Sequence, residues 1–334
     1  MGFEDYLASN AERIDAVVAS FYASSKNAEI NRYLYEPLAA YSANGGKRHR
    51  PLICELACLA VGGDPARVRN SAAAIEHFHT AALIHDDIAD ESQLRRGVPC
   101  LHLAEGEGLA INAGDLALSL VTGSVLDDTL LSDTEKIRVL HELVEMTTRT
   151  IEGQALDIGW ARDGRFDLKV EDYLLMATRK TAHYSGGTPL AVGAICGGAD
   201  EAVVEAMRAF GLAAGLAFQI QDDLLNLVGS VESTRKDFRS DITESKRTLI
   251  AVHAIQNSAQ GGELATILAS HTAVPARLCA AVQIMHDAGS LDFARDYATG
   301  LIADAKSELG TVLSPSAARE LLFSMADFFV ARMC

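Results

Sequence analysis

The alternation of apolar and polar residues along this chain follows a helical period almost throughout. Val/Ile/Thr-rich runs with two-residue alternation are absent, and alanine and leucine, both strong helix formers, dominate. Two amphipathic segments fall at about residues 3–24 and 27–42, and Asn44-Gly45-Gly46 breaks the second. Asp64-Pro65 is a helix start, with Asp as N-cap and Pro at the first helical position. From there an apolar run reaches Asp90, which at 1.5 Å per residue is about 39 Å of helix. Its middle, Ala72 to Ile75 with Phe78, Ala81, Ala82 and Leu83, is apolar on most sides, as in a helix buried in a bundle. Further helices are predicted over about 108–130, from the Ser132-x-x-Glu135 capping box to about Trp160, over about 170–196 with a kink at Gly186, Gly187 and Pro189, and over about 201–228. Pro275, Gly289 and Pro315 separate amphipathic helices in the last stretch, 250–334. The expected fold is all-α, a single domain over 1–334 without an internal repeat or a convincing linker.

Composition narrows the picture. The chain has 334 residues, 49% of them hydrophobic and 22% charged, with a net charge of −16. That length fits about two domains or one large helical domain, and the low charged fraction without low-complexity tracts excludes disorder. The acidic balance argues against nucleic-acid binding, which needs a basic face. An anionic substrate must therefore be drawn in by local cations or metal rather than by the global field. No run approaches the ~20 apolar residues of a membrane span. The start, Met1 to Asn10, is acidic and lacks the apolar core of a signal peptide. A cytoplasmic protein with no transmembrane segment is expected. The six cysteines (Cys54, Cys58, Cys100, Cys196, Cys279, Cys334) form no C-x-x-C pair and read as buried free thiols in a reducing compartment.

Chemistry concentrates where polar groups interrupt apolar helices. The run 76–97 begins as helix and ends in Asp86, Asp87 and Asp90, followed by Arg95 and Arg96. Residues i and i+4 share a face, so Asp86 and Asp90 point the same way. Clustered carboxylates repel one another unless a cation offsets them. Mg²⁺ typically takes one or two protein carboxylates and completes its shell with water and substrate phosphate. The arginines add bidentate donors suited to phosphate oxygens. Alone, such a cluster is more often a solvated helix end. A second pair, Asp222 and Asp223, late in the 201–228 helix changes this, because two acidic pairs on two long helices can hold several ions around one cavity.

Other polar stretches fit a diphosphate site. In Gly45-Gly46-Lys47-Arg48-His49-Arg50-Pro51 the glycines admit close backbone approach, and the cations sit near a helix start, which favours anions. His79 lies among apolar neighbours and is either a satisfied core residue or a phosphate ligand. Gln154 and Asp157 interrupt the helix ending near Trp160 and either line the cavity or face solvent. The kink after Lys180 and Thr181 can aim both inward. The polar run 230–249 is long enough for a lid and carries Lys236 and Lys246, with Arg235, Arg239 and Arg247 as alternatives.

Taken together, G-G-K-R-H-R-P, H-D-D-I-A-D-E-S-Q-L-R-R-G, K-T, F-Q-I-Q-D-D-L-L-N and K-D-F-R-S-D-I-T-E-S-K-R-T, in this order, resemble the trans-isoprenyl diphosphate synthase (polyprenyl synthetase) family over most of the chain. The resemblance implies a helical bundle around a deep central cavity, a homodimer, and Mg²⁺-dependent head-to-tail condensation of isopentenyl diphosphate onto an allylic diphosphate. It implies three Mg²⁺ ions held with the diphosphate by Asp86, Asp90 and Asp222, supported by Asp87 and Asp223. Arg95, Lys180, Thr181, Gln219, Lys236 and Lys246 would hold the allylic diphosphate. Lys47, Arg50, His79 and Arg96 would hold isopentenyl diphosphate. Asn226 stands where many members carry a third aspartate.

Family reasoning places the growing chain along the helix before Asp86. Ala81 and Ala82, one turn back, are too small to stop it. Phe78 and His77, two turns back, are bulky and set a floor one isoprene unit deeper, since a turn is about 5.4 Å. The expected product is geranylgeranyl diphosphate, with farnesyl or longer products as alternatives. A class I terpene cyclase would lack the second pocket of Lys47 and Arg50, and a non-catalytic subunit would be expected to lose aspartates.

Overall fold

Side chains make the helix starts that the sequence announces. Asp64 accepts the Ala66 N–H at 2.9 Å, and Pro65 opens a 3₁₀ turn, Pro65–Val68, that runs into the Arg69–Ala89 helix. Ser132 and Glu135 close their capping box: the Ser132 N–H donates to Glu135 at 2.8 Å and the Glu135 N–H to Ser132 Oγ at 3.3 Å. The 30-residue helix Asp133–Arg162 continues from it. The computed structural model describes residues 2–22, 24–228 and 239–331, almost all of them helical. It parts into two compact units. The first is Met1–Thr147 with Thr188–Met207 and Pro315–Leu322; the second is Thr148–Gly187 with Arg208–Ser314 and Phe323–Cys334.

The first unit is built on Arg69–Ala89, buried continuously from Ser71 to Ala81. Its Ala81 and Ile84 pack with Ala110, Ala113 and Ala117 of Glu107–Leu126, and with Leu38 and Leu101. Small residues let these helices approach, and a Cβ on Gly114 would lie 2.2 Å from the His85 ring. The N-terminal Phe3–Ala19 helix is tied on by Arg13, which donates to both oxygens of Glu55 at 2.9 and 2.6 Å. Cys54, Cys58, Cys100 and Cys196 are buried free thiols as expected; Cys279, in the second unit, is exposed.

In the second unit the expected kink at 186–189 takes a different form. Thr178–Gly187 is a π-helix between Val170–Ala177 and Thr188–Cys196. Its wider turn presses backbone to backbone against the Glu201–Val228 helix, where a Cβ on Gly211 would stand 2.4 Å from the Gly186 carbonyl oxygen. Helices Leu249–Asn257, Gly261–Ala269, Pro275–Asp287 and Ser290–Val312 come next, with Pro275 opening one and Gly289 (φ 68°) preceding another. Ala317–Ala331 ends the described chain.

The sequence offered no strand, yet a hairpin exists. Leu94–Arg95 pairs antiparallel with Val98–Pro99 across a turn of two residues, Arg96 (φ 54°) and Gly97 (φ 84°). Positive φ at both central positions matches the right-handed twist of paired strands. Two described helices, Glu107–Leu126 and Glu201–Val228, are long and apolar enough to cross a bilayer by length and composition, beyond what counting uninterrupted apolar runs suggested. Part of that apolar surface is buried, 39% and 50% of the respective windows.

Candidate active site

In the first unit, Arg69–Ala89 delivers its aspartates in two directions. Asp86 is half-buried, Asp90 is exposed at the helix end, and the two share a face. Asp87 turns inward and is 1% exposed. It accepts the Tyr41 hydroxyl at 2.7 Å and Arg95 Nε at 2.8 Å. Burial and that bond push the Tyr41 hydroxyl above its usual range, so it stays a donor. The hairpin turn splits the two adjacent arginines. Arg95 goes to Asp87, while Arg96 donates to the carbonyls of Asn44, at 3.3 Å, and Gly45. Asn44 in turn donates to the Arg95 carbonyl at 3.1 Å. Gly46 has φ +152°, and a Cβ there would press on the Arg96 guanidinium at 3.2 Å, so glycine is required on both counts. Beside this loop lie buried Arg50, exposed Lys47 and His79. Burial first, then the charges of Arg50, His49 and Arg96, hold the His79 imidazole well below its ordinary value and therefore neutral. The candidate isopentenyl diphosphate residues Lys47, Arg50, His79 and Arg96 are thus all in this unit.

In the second unit a cavity of about 100 Å³ is lined by Lys180, Thr181, Gln219, Asp223 and Lys246. Thr181 Oγ1 donates to Gln219 at 2.8 Å, Gln219 donates to Asp223 at 2.7 Å, and the Tyr173 hydroxyl donates to the other Asp223 oxygen at 2.8 Å. Lys180 donates to Asp157, and Lys246 stands 3.8 Å from the same oxygen. The π-helix explains the aim of Lys180 and Thr181. The extra residue per turn turns this segment toward the glycines of its neighbours, and a Cβ on Gly153 would come within 2.2 Å of the Lys180 nitrogen.

Burial dominates the electrostatics of this acidic cluster. Burial lifts the Asp223 carboxyl to about 7, opposed by its bonds to Gln219 and Tyr173 and reinforced by Asp222 and Asp157. Burial, with Asp223 and Glu244, raises Asp241 well above the carboxylate range. Burial opposes ionisation of Asp157 too, but Lys180 and Lys246 outweigh it and hold that carboxyl low. Among the described residues no three acidic, His or Cys side chains converge tightly enough to hold an ion unaided. That suits Mg²⁺ shared with substrate oxygens, which needs only one or two carboxylates from any one place.

Tyr41, Tyr173 and Asp241 join the site without a signal in the sequence. Asp157, left open between cavity and surface, lines the cavity. Asn226 serves as a tether: its Oδ1 accepts the Asp241 N–H at 3.2 Å and its Nδ2 donates to Ser240 Oγ at 3.0 Å. Arg235, Lys236 and the rest of 230–238 in the candidate lid lie outside the described residues.

The model of the polyprenyl synthetase family matches residues 31–285. The chain belongs to that family. This polyprenyl synthetase is 38% identical to a geranylfarnesyl diphosphate synthase of Natronomonas pharaonis, over 89% of the chain and 91% of that protein. Its fold superimposes on a geranylgeranyl pyrophosphate synthetase of Pyrococcus horikoshii with a TM-score of 0.90 and 32% identity, covering 99% and 98% of the two chains. It also superimposes on a geranylgeranyl pyrophosphate synthase of Corynebacterium glutamicum, solved with isoprenyl diphosphate and magnesium, with a TM-score of 0.87 and 28% identity, over 96% and 98%.

Proposed function

We propose that this polyprenyl synthetase is a Mg²⁺-dependent trans-prenyltransferase that condenses isopentenyl diphosphate with an allylic diphosphate to give geranylgeranyl diphosphate. One observation carries the reading. Each tandem aspartate pair is built alike: the first carboxylate, Asp86 or Asp222, is half-buried, while the second, Asp87 or Asp223, is buried and held by a tyrosine hydroxyl, Tyr41 at 2.7 Å or Tyr173 at 2.8 Å. In this reading the repeated device leaves one carboxylate of each pair for Mg²⁺ and diphosphate.

Asp86, Asp90 and Asp222 would hold up to three Mg²⁺ ions, which when bound neutralise charge on the diphosphate as it leaves. Lys180, Thr181, Gln219, Lys236, Lys246 and Arg95 add fixed donors toward that same developing charge. Lys47, Arg50, His79 and Arg96 hold isopentenyl diphosphate, and apolar side chains shield the allylic cation from water. In this reading the departing pyrophosphate accepts the proton, so no dedicated base is assigned.

Product length depends on two neighbouring faces of Arg69–Ala89. His77 and Ala81 share one, against Tyr22 and the alanines of Glu107–Leu126; Phe78 and Ala82 share the next. Buried Phe78 sets the floor at twenty carbons. The geranylfarnesyl relative favours a second reading, one unit longer.

The protein acts in the cytoplasm as a single polyprenyl synthetase domain and a homodimer. Supporting the dimer, Ile137, Val144, Ile151 and Ile158 repeat every seven residues along Asp133–Arg162 and are 44–64% exposed, the seam on which a second copy would pack.

The test is incubation with Mg²⁺, isopentenyl diphosphate and dimethylallyl, geranyl or farnesyl diphosphate, with chromatography of the dephosphorylated products. Asp86→Asn and Asp222→Asn should each lower kcat about a hundredfold or more, and chelation of Mg²⁺ should abolish turnover. A fully active Asp222→Asn beside an inactive Asp86→Asn would show that the two pairs do not serve one diphosphate.

A further inference from the structure

Arg48 sits in the middle of the basic loop yet is spent elsewhere. Its side chain is 4% exposed, and all three guanidinium nitrogens are engaged. Nε donates to Asp15 at 2.6 Å, Nη1 to Glu76, and Nη2 to the Ser42 carbonyl. Each nitrogen of its fork already holds a protein acceptor, whereas Lys47, one residue earlier, is exposed. Its backbone is equally committed. With φ 46° and ψ 30°, Arg48 is a left-handed residue at the N-cap of His49–Ala60, a conformation a non-glycine residue keeps only where its surroundings over-determine it.

Glu76 supplies that over-determination. Its carboxylate is almost fully buried, with a side chain 3% exposed, and it lies on Arg69–Ala89 three residues before His79. Asp15 is 51% exposed and contributes at the rim. The buried pair therefore joins the helix carrying His79 to the turn carrying Lys47, His49 and Arg50.

We propose that Arg48 is a positioning residue: locked by Glu76, it fixes the left-handed turn that aims Lys47 and Arg50 at the isopentenyl diphosphate, without touching that substrate. The inference rests on the assignment of this loop to isopentenyl diphosphate, and the two fail separately. Lys47→Ala and Arg50→Ala must raise the KM for isopentenyl diphosphate; if neither does, the pocket assignment fails. Given that they do, the double variant Arg48→Met/Glu76→Met replaces the buried pair by apolar groups, so that neither charge is stranded. It is expected to raise the KM for isopentenyl diphosphate about tenfold or more, as misplaced ligands do. The KM for the allylic substrate and the unfolding midpoint should stay near wild type. An unchanged KM for isopentenyl diphosphate in that variant overturns the proposal. Glu76→Gln, assayed well below its unfolding midpoint, gives a second measurement. It frees Arg48 from its carboxylate, so a phosphate-binding Arg48 would bind isopentenyl diphosphate as well or better, which also overturns the proposal. A positioning Arg48 loses affinity, and reinstating the carboxylate as Glu76→Asp should recover part of it.

Discussion

His77 gives the most quantitative test of how this molecule is packed. It is 0% exposed, both ring nitrogens lack a hydrogen-bond partner among the described residues, and Phe21 and Tyr22 stand edge-on to it at 6.1 and 5.0 Å. Burial, with no charged neighbour contributing, pushes the imidazole from its ordinary 6.5 to about 4. Between those values the unfolded chain binds a proton that the folded protein refuses, so stability is full above pH 6.5 and falls as pH drops toward 4. Binding one proton at 6.5 unfolded and about 4 folded makes the loss about 2 kcal/mol at pH 5 relative to pH 8, approaching 3 kcal/mol near pH 4. His77→Met keeps similar bulk, removes the titration and removes two unpaired polar atoms, which cost about 1–3 kcal/mol when buried. Urea unfolding of both proteins, at pH 8 and pH 5, isolates the effect, because every other titrating group cancels in the difference. The variant should be at least as stable at pH 8 and gain about 2 kcal/mol more over wild type at pH 5. If the two proteins lose stability in parallel between these pH values, His77 is solvated or paired and the packing argument is wrong.

Phe78→Ala should lengthen the dominant product and Ala81→Phe shorten it, read by chromatography of the dephosphorylated products; unchanged lengths in both would remove Phe78 as the floor. Gly153→Ala puts a methyl group within 2.2 Å of the Lys180 backbone nitrogen. It should cost about 1–3 kcal/mol of stability and a disproportionate share of kcat, and an unfolding midpoint and rate both like wild type would refute the tight fit. Val144→Glu, at a position 64% exposed, should convert a dimer to monomers in analytical ultracentrifugation while leaving the monomer folded. A wild-type protein that sediments as a monomer would remove the need for that seam.

How far the sequence carried depends on the scale of the signal. Helix starts written by single side chains, such as Asp64-Pro65 and Ser132-x-x-Glu135, were legible because cap and period are local. So was the four-residue spacing of Asp86 and Asp90, which alone sets a shared helix face. The hairpin was not: its strands are two residues each, and only Arg96-Gly97 marks it, a weak turn signal inside a basic run. The π-helix registered only as glycine and proline near a kink, because a widened turn is dictated by how closely Gly186, Gly211 and Gly153 let backbones approach, not by local propensity. Tyr41 and Tyr173 escaped for the same reason. They lie 46 and 50 residues from the carboxylates they hold, and nothing in a tyrosine's own neighbourhood advertises so distant a bond. Arg48 read only as one more cation of the basic loop, and its three partners reveal an anchor.

The ten-residue widened turn at Thr178–Gly187 makes this enzyme unusually sensitive to length rather than to chemistry. Removing one amino acid from 182–187 would either rotate the residues before the cut by about 100° against those after it or abolish the widened turn that aims them. Lys180 and Thr181 would keep their identities and lose their bearing. Insertions and deletions here should therefore be harsher than most point substitutions, which makes this stretch a poor place to splice and a good one to install a conditional off-switch.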